Sequence, residues 1–164
     1  MTAQPAPIVA ARLDPAAIAA LMNHPLVGKW RDASAAISES LEQSLVQLVE
    51  IRASQINGCA NCINMHAKEA RWNGETEQRV YLLSAWQVAP CYDARERAAL
   101  AWTEALTRLS HGHALEDAYN GLRRHFSAEE QVKLTLVINM INGWNRLAVG
   151  FGLFADEPPE RAVA

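Results

Sequence analysis

Two thiols and one imidazole lie close together along the chain, at Cys59, Cys62 and His66. If a helix begins at residue 57 or 58, a rotation of about 100° per residue places Cys62 about −60° and His66 about −20° from Cys59. The three side chains would then share one narrow stripe, and Cys62 and His66 stand at the i, i+4 spacing at which helix side chains touch. Core packing does not require three polarisable groups in line, so the pattern indicates a chemical site.

This arrangement suits two-electron thiol chemistry. Cys59 would lie at the helix N-terminus, where free N–H groups favour a thiolate. His66 would take the proton of Cys62 or stabilise its thiolate as imidazolium. A thiol with a pKa of ~8.5 becomes a competent nucleophile when that pKa falls to ~7 or below. One sulfur would attack an oxidant and become a sulfenic acid, and its neighbour would condense with it to form a disulfide.

Glu50 is the candidate carboxylate of the same site. It lies nine residues before Cys59, on the preceding predicted helix, and Ser54 follows it one turn later on the same face. If the two helices pack back to back at the intervening turn, Glu50 would reach the thiol–imidazole group and orient the ring or relay a proton.

The same residues leave other interpretations open. Cys59, Cys62, His66 and Glu50 could together bind zinc, either as a structural or a redox-sensing module, although three ligands on one helical stripe crowd a tetrahedral ion. The two cysteines could be inert core residues. His66 and Glu50 alone could perform cofactor-free acid–base chemistry on a small organic acid. A c-type haem site is excluded because Ile63, not histidine, follows the second cysteine. A thioredoxin-like site is excluded because no βαβ pattern surrounds the motif.

Helix signals dominate the rest of the chain, and strand signals are scarce. Asp14-Pro15, Ser40 with Gln43, Asp93 with Glu96, and Ser127 with Glu130 are typical helix starts, while glycines 58 and 74 are typical helix ends. The sequence therefore predicts an all-α, single-domain helical bundle of about seven or eight helices, with its core over about residues 14–151 of 1–164. The predicted helices cover about residues 15–24, 40–56, 59–73, 76–90, 94–109, 115–124 and the segment after Ser127.

The last of these helices is apolar nearly all round, from Val132 to Trp144. A helix of this kind is buried on most sides, either at the centre of its domain or against another subunit. We therefore expect a homo-oligomer.

Composition and charge exclude several classes of protein. The 164 residues are 50% hydrophobic and 20% charged, which is typical of a globular chain and not of a disordered one. The net charge is −3 and no Lys/Arg run occurs, so nucleic-acid binding is not expected. Neither a secretory signal nor an uninterrupted apolar run of membrane-spanning length is found, and we expect a cytoplasmic protein without membrane contact.

The remaining thiol and imidazoles are expected to have no part in the chemistry. Cys91 follows Pro90 in a predicted turn and is interpreted as an ordinary thiol. His111 and His113 fall in a predicted polar loop, and His24 and His125 near helix C-termini, where a partial positive charge is favourable.

The spacing Glu50-x8-Cys59-x2-Cys62-x3-His66, continuing to Ala70 and Gly74, resembles the alkylhydroperoxidase D-like (AhpD-like) branch of the carboxymuconolactone decarboxylase family. Segments 93–106 and 141–148 are similar to the flanking helices of its small members. The resemblance implies an AhpD-like helical fold that assembles into trimers or hexamers. It also implies an antioxidant, peroxiredoxin-like oxidoreductase that reduces small hydroperoxides, needs no bound cofactor, and is recycled by a dithiol of lipoamide type.

The resemblance also implies a role for each residue. Cys62 would attack the peroxide beside the base His66, and Cys59 would be the more accessible partner that closes the disulfide and meets the reductant. The proton-relay glutamate of well-understood peroxidases of this type lies twelve residues before the first cysteine, where this chain has Gln47, while Glu50 lies one turn later. Members that act as lactone decarboxylases typically lack the cysteine pair, so that activity is not expected here.

Overall fold

The computed structural model describes residues 11–111 and 115–154, and over these ranges it contains α-helices and no strand. The predicted all-α class is confirmed. Single 3₁₀ turns follow α5 and α6, at Leu83–Ala85 and Leu109–His111. The helices are α1 (Pro15–Met22), α2 (Pro25–Ser38), α3 (Gln43–Asn57), α4 (Ala60–Trp72), α5 (Glu77–Leu82), α6 (Ala94–Thr107), α7 (Leu115–Leu122) and α8 (Ala128–Phe151).

Helix α3 lies at the centre and packs against α4, α6 and α8. Its residues from Leu45 to Ile51 are all buried, including the polar Gln47 and Glu50. On one side, Leu45, Val46 and Val49 contact the apolar faces of α6 and α8. On the α4 side, Ala53 packs with Cys59 and Cys62 and with Ile141 of α8. A helix enclosed on several sides can hold polar groups away from water, and this one supplies Glu50.

Several predicted helix ends are confirmed. Asp93 with Glu96 and Ser127 with Glu130 form complete capping boxes. Ser40 is not a cap: its hydroxyl donates to the carbonyl of Ile37 at 2.7 Å, and the residue before α3 is Glu42, whose side chain makes no cap hydrogen bond. Helix α5 ends at Leu82 and a 3₁₀ turn follows it, so the helix predicted as far as Pro90 is too long.

Helix α2 was not predicted by the sequence analysis. The sequence predicts that the first helix ends near residue 24, before Pro25, and predicts no helix between there and residue 40. In the structure Pro25 occupies the first turn of α2, where its missing N–H has no partner to lose. His24 lies just beyond α1 and caps α2, because its Nδ1 accepts the amide of Leu26 at 3.2 Å. This helix matters for the site because it forms one wall of the cavity described below.

Helix α8 is only partly enclosed. Leu134, Val137, Ile138 and Ile141 are buried, but Val132 and Leu136 are 61% and 44% exposed. The prediction that α8 is buried on most sides therefore holds for one face, and the other face is open in the single chain. None of the helices in the described ranges has the length and apolarity that crossing a bilayer requires. Of the loop predicted around the two late histidines, Gly112 and His113 fall outside the described residues, as do segments 1–10 and 155–164.

Candidate active site

A tight turn between α3 and α4 positions the site. Gly58 has φ +65°, its N–H donates to the carbonyl of Gln55 at 3.3 Å, and the N–H of Cys59 donates to the carbonyl of Ser54 at 2.9 Å. This pair of bonds is a Schellman motif, which needs a residue that tolerates the left-handed region. Cys59 thus ends α3 with its backbone and begins α4 with its side chain, so no spacer separates the two helices.

Cys59 and Cys62, the cysteines of the C-x-x-C pair, are free thiols. Cys59 is 1% exposed and Cys62 is 2% exposed. The Sγ of Cys59 accepts the backbone N–H of Cys62 at 3.4 Å and so serves as the N-cap of α4. The Cys62 thiol donates to the Cys59 sulfur, and this bond, aided by the same backbone N–H, lowers the pKa of Cys59 to about 6. Donation to Cys59 together with burial raises the pKa of Cys62. The hydrogen bond therefore favours negative charge on Cys59 and keeps the shared proton on Cys62.

His66 lies between two carboxylates. Its Nδ1 is 3.2 Å from Oε2 of Glu50 and 2.9 Å from Oε2 of Glu69. Burial alone would lower the pKa of His66, but the two carboxylates outweigh it and raise that pKa. Burial also raises the pKa of Glu50, against the opposing effect of His66, and the Ser38 hydroxyl donates to the other oxygen of Glu50 at 3.3 Å. The structure therefore brings Glu50 to His66, as the sequence predicted, and adds Glu69.

Asn145 of α8 is a site residue that the sequence analysis did not single out. It is 1% exposed; its amide donates to the hydroxyl of Ser54 at 3.0 Å, and its oxygen accepts from Asn57 at 2.8 Å. Hydrogen bonding from Asn145 also lowers the pKa of both thiols. A polar side chain in the middle of an otherwise apolar helix was the available signal. With Asn142, which accepts from Asn57 at 2.9 Å, it ties α8 to the turn that carries Cys59.

A cavity of about 630 Å³ adjoins the site. Cys62, His66, Glu50 and Glu69 line it, together with Gln47, whereas Cys59 is not part of its wall. The resemblance implied that Cys59 is the more accessible thiol, but the structure places Cys59 against Ile141 and Ala148 of α8 and turns Cys62 toward the cavity. The rest of the wall is mostly apolar and includes Leu21, Val27, Met65, Met140, Trp144 and Leu147.

The geometry does not support the zinc alternative. Over the described residues, no group of three or more His, Cys, Asp or Glu side chains is arranged to hold a metal ion. Cys91, the third thiol, packs against a different apolar cluster, with Leu83 and Tyr92, and its carbonyl accepts from Arg79. The site is therefore a dithiol with a histidine and two carboxylates at the wall of an apolar cavity.

Comparison with known proteins gives consistent results. The model of the carboxymuconolactone decarboxylase family matches residues 26–105. The uncharacterized protein YdfG of Bacillus subtilis (strain 168) is 42% identical over 113 residues, which are 69% of this chain and 77% of YdfG.

Two solved structures are also similar. A protein of unknown function from Agrobacterium tumefaciens, provisionally named an antioxidant defence protein, AhpD, is 41% identical, with a TM-score of 0.80 over 90% of this chain and 100% of that one. An uncharacterized peroxidase-related protein from Silicibacter sp. TM1040 is 25% identical, with a TM-score of 0.65 over 75% of this chain and 68% of that one.

Proposed function

This chain belongs to the carboxymuconolactone decarboxylase family and has an AhpD-like structure, and from that premise we propose that it is a thiol-dependent peroxidase that reduces small organic hydroperoxides through a Cys59–Cys62 disulfide. The observation that carries the proposal is the placement of Cys62 at the wall of a cavity, hydrogen-bonded to an acidified neighbouring thiol and beside a buried histidine.

In the oxidative half of the cycle, the Cys62 sulfur attacks the terminal oxygen of the hydroperoxide while its proton passes along the existing hydrogen bond to Cys59. The O–O bond breaks and a sulfenic acid forms on Cys62. The departing alkoxide takes a proton from imidazolium His66 and leaves as the alcohol. The Cys59 sulfur then attacks the Cys62 sulfur, and the S–OH bond breaks with loss of water.

Glu50 and Glu69 keep the histidine ready for this step. A general acid must be protonated before it acts, and two carboxylates at Nδ1 favour the imidazolium form. They also fix the ring, so that the opposite nitrogen is the one left to exchange protons with the substrate.

The cavity supports organic hydroperoxides in preference to hydrogen peroxide. A volume of about 630 Å³ lies within the range of sites for drug-sized molecules and is far larger than hydrogen peroxide requires. Its apolar wall, formed by side chains such as Met140, Trp144 and Leu147, would bind a hydrocarbon body and place the peroxide group at Cys62.

The remaining requirements of the cycle lie outside the single chain. Two electrons return from a dithiol donor of lipoamide or similar type, and no bound cofactor enters the cycle. We propose a trimer or hexamer in which the exposed apolar residues Val132 and Leu136 of α8 lie at a subunit contact. A monomer measured by light scattering at micromolar concentration would contradict this assembly.

The test of the function is a titration of free thiols before and after addition of cumene hydroperoxide. We expect two thiols to be lost per chain in the native protein and in Cys91→Ser, and no dithiol-dependent turnover in Cys62→Ser. Cys91→Ser is the matched control because it removes a thiol outside the site. Turnover that survives replacement of both Cys59 and Cys62 would contradict the proposal and favour acid–base chemistry at His66.

A further inference from the structure

We propose that the external dithiol reduces the disulfide by attacking Cys62, not Cys59, and that it enters through the same cavity as the hydroperoxide. The proposal deepens the proposed function, since it rests on the Cys59–Cys62 disulfide cycle. It reverses the assignment that the family resemblance implied, in which Cys59 meets the reductant.

The first support is the position of the two sulfurs relative to the cavity. The part of the wall that belongs to α4 and its C-cap begins at Asn61 and Cys62 and continues to Asn73. Cys59 precedes this stretch, does not line the cavity, and packs in an apolar cluster that includes Ile141 and Ala148 of α8. A thiol that arrives through the cavity therefore meets the Cys62 sulfur first.

The second support is the requirement for in-line displacement. At sulfur the entering thiolate must reach one atom of the disulfide while the other atom departs. Only Cys62 of the pair lines the cavity, so a thiolate in the cavity reaches the Cys62 sulfur, and Cys59 is then the group that leaves.

The third support is the quality of Cys59 as a leaving group. Thiol–disulfide exchange is faster when the departing thiol has a low pKa. The Cys59 sulfur accepts the backbone N–H of Cys62 at 3.4 Å, which stabilises the negative charge that it gains on departure. Hydrogen bonding from Asn145 acts in the same direction, since it also lowers the pKa of Cys59.

The exchange is balanced as follows. One thiolate of the dithiol attacks Sγ of Cys62, the Cys59–Cys62 bond breaks, and its electron pair stays on Cys59. The second thiol of the donor then attacks the donor sulfur of the mixed disulfide, and the bond between that sulfur and Cys62 breaks with its electron pair on Cys62. A cyclic disulfide leaves, and the proton of the second thiol stays with the enzyme, shared between Cys59 and Cys62. The donor is oxidised by two electrons, and the enzyme returns to the dithiol with one proton.

The experiment determines which cysteine receives the incoming thiol. The native protein is oxidised with diamide, Cys91 is alkylated, and 2-mercaptoethanol is added together with N-ethylmaleimide, which traps the freed sulfur. Trypsin cleaves after Arg52 and Lys68, so one peptide carries both cysteines and fragmentation distinguishes them. We expect about tenfold more peptide with the mercaptoethanol adduct on Cys62 and maleimide on Cys59 than the reverse.

The control is the same oxidised protein unfolded in urea, where the two adducts are expected in comparable amounts. An equal mixture or an excess of the Cys59 adduct in the folded protein would overturn the proposal. Because diamide forms the disulfide without a hydroperoxide, a Cys62 adduct found together with no hydroperoxide turnover would support the entry route and contradict the proposed peroxidase.

A second measurement tests the cavity as the route. Ala35 of α2 lines the cavity and Ala36 does not, although both are exposed. Ala35→Trp should slow reduction of the diamide-formed disulfide by dithiothreitol about tenfold, since the larger side chain obstructs the cavity that leads to Cys62. Ala36→Trp is the matched control and should leave the rate unchanged. An unchanged rate in Ala35→Trp, with both variants folded by circular dichroism, would show that the reductant takes another path.

Discussion

Two glutamates near α3, the buried Glu50 and the half-buried Glu104, have opposite environments. Glu50 lies on α3 itself and its nearest partner is the Nδ1 of His66 at 3.2 Å. Glu104 lies on α6, opposite Arg52 of α3, whose guanidinium approaches Oε1 to 2.6 Å. The indole N–H of Trp86 donates to the same oxygen at 2.7 Å. The side chain of Glu50 is 6% exposed and that of Glu104 is 15% exposed, so Glu50 is the more deeply enclosed of the two.

Their pKa values move in opposite directions because their partners differ. For Glu104, burial is opposed by donation from Trp86 and Arg52, and the pKa is lowered. For Glu50, burial outweighs the attraction of His66, and the pKa is raised. An arginine is always charged, whereas a histidine gains and loses its proton near neutral pH. Burial alone therefore does not make a carboxylate reactive; the difference is whether its partner can release a proton.

The largest expected effect that would sharpen this comparison is a loss of turnover at the cysteine pair near Glu50. Cys59→Ser should lower steady-state hydroperoxide turnover by about 1,000-fold or more, because no disulfide can form. Stability should change little, since serine is a favoured N-cap residue and can accept the same amide of Cys62. Turnover is measured with a dithiol donor and stability by thermal unfolding. In this variant Cys62 should accumulate as a sulfenic acid. Retained multiple turnover would contradict the role assigned to Cys59.

At the Arg52–Glu104 pair, the expected effect is a loss of stability. Arg52→Met leaves Glu104 buried with Trp86 and Arg108 as its remaining donors, which should cost about 3 kcal/mol of unfolding free energy. Chemical denaturation measures this loss. Activity per folded molecule should stay near the native value, because Arg52 does not line the cavity. A loss of activity larger than the loss of folded protein would break the distinction between the two regions.

Glu50, the carboxylate that contacts His66, should affect the reaction rate more than the stability. Glu50→Gln keeps the shape but removes the negative charge at His66, and kcat/KM for an organic hydroperoxide should fall by about 100-fold. Unfolding free energy should not fall in parallel, since a buried charge is removed. Glu39→Gln, at an exposed position on the surface, is the matched control. A rate within a factor of two of the native protein would exclude Glu50 from the reaction.

The smallest expected effect is in the pH dependence of stability. Because the pKa values of His66 and Glu50 are raised, these groups bind more protons in the folded chain than in the unfolded chain. Their contribution to stability is therefore present below pH 6.5 for His66 and below pH 4.5 for Glu50. It is lost as the pH rises through the pKa values of the folded chain. The lowered pKa of Glu104 contributes stability above 4.5 that is lost as pH falls.

Urea unfolding across the pH range separates these contributions. Stability of the native protein should decline on both sides of a maximum in the acidic to neutral range. Glu50→Gln should flatten the alkaline side, and Glu104→Gln the acid side. Identical curves for both variants would show that the two clusters do not differ in the way their hydrogen bonds indicate.

The parts of the site that follow local periodicity could be predicted from the sequence. The stripe of Cys59, Cys62 and His66 depends only on the helical repeat, and the structure has that helix from Ala60 to Trp72. Glu50 was expected to reach His66 only if α3 and α4 pack together at their turn. Gly58, in the left-handed conformation, and its Schellman hydrogen bonds form the turn that packs α3 against α4. The Asn57-Gly58 pair is the sequence signal for that turn.

Other parts depend on contacts between distant segments, which spacing does not encode. Asn145 meets Ser54 across 91 residues of chain, and only the packing of α8 on α3 brings them together. The position of Cys62 at the cavity wall, with Cys59 outside it, has the same origin, because residues of α8 form part of that wall. Glu69 was predictable, since it stands at i, i+3 from His66, but it was not considered. Helix α2 was missed because a proline marks a helix start as readily as a helix end.

Cys59, whose backbone ends α3 and whose side chain begins α4, has a practical consequence for spectroscopy. The amide of Cys62 points at the sulfur of Cys59, and the amide of Cys59 closes the preceding helix. When that sulfur changes from a thiolate to one half of a disulfide, the electric field at the Cys62 amide proton changes with it. A nitrogen-15 correlation spectrum should therefore record the oxidation state of the pair directly, from a single backbone resonance and without a label attached to either sulfur.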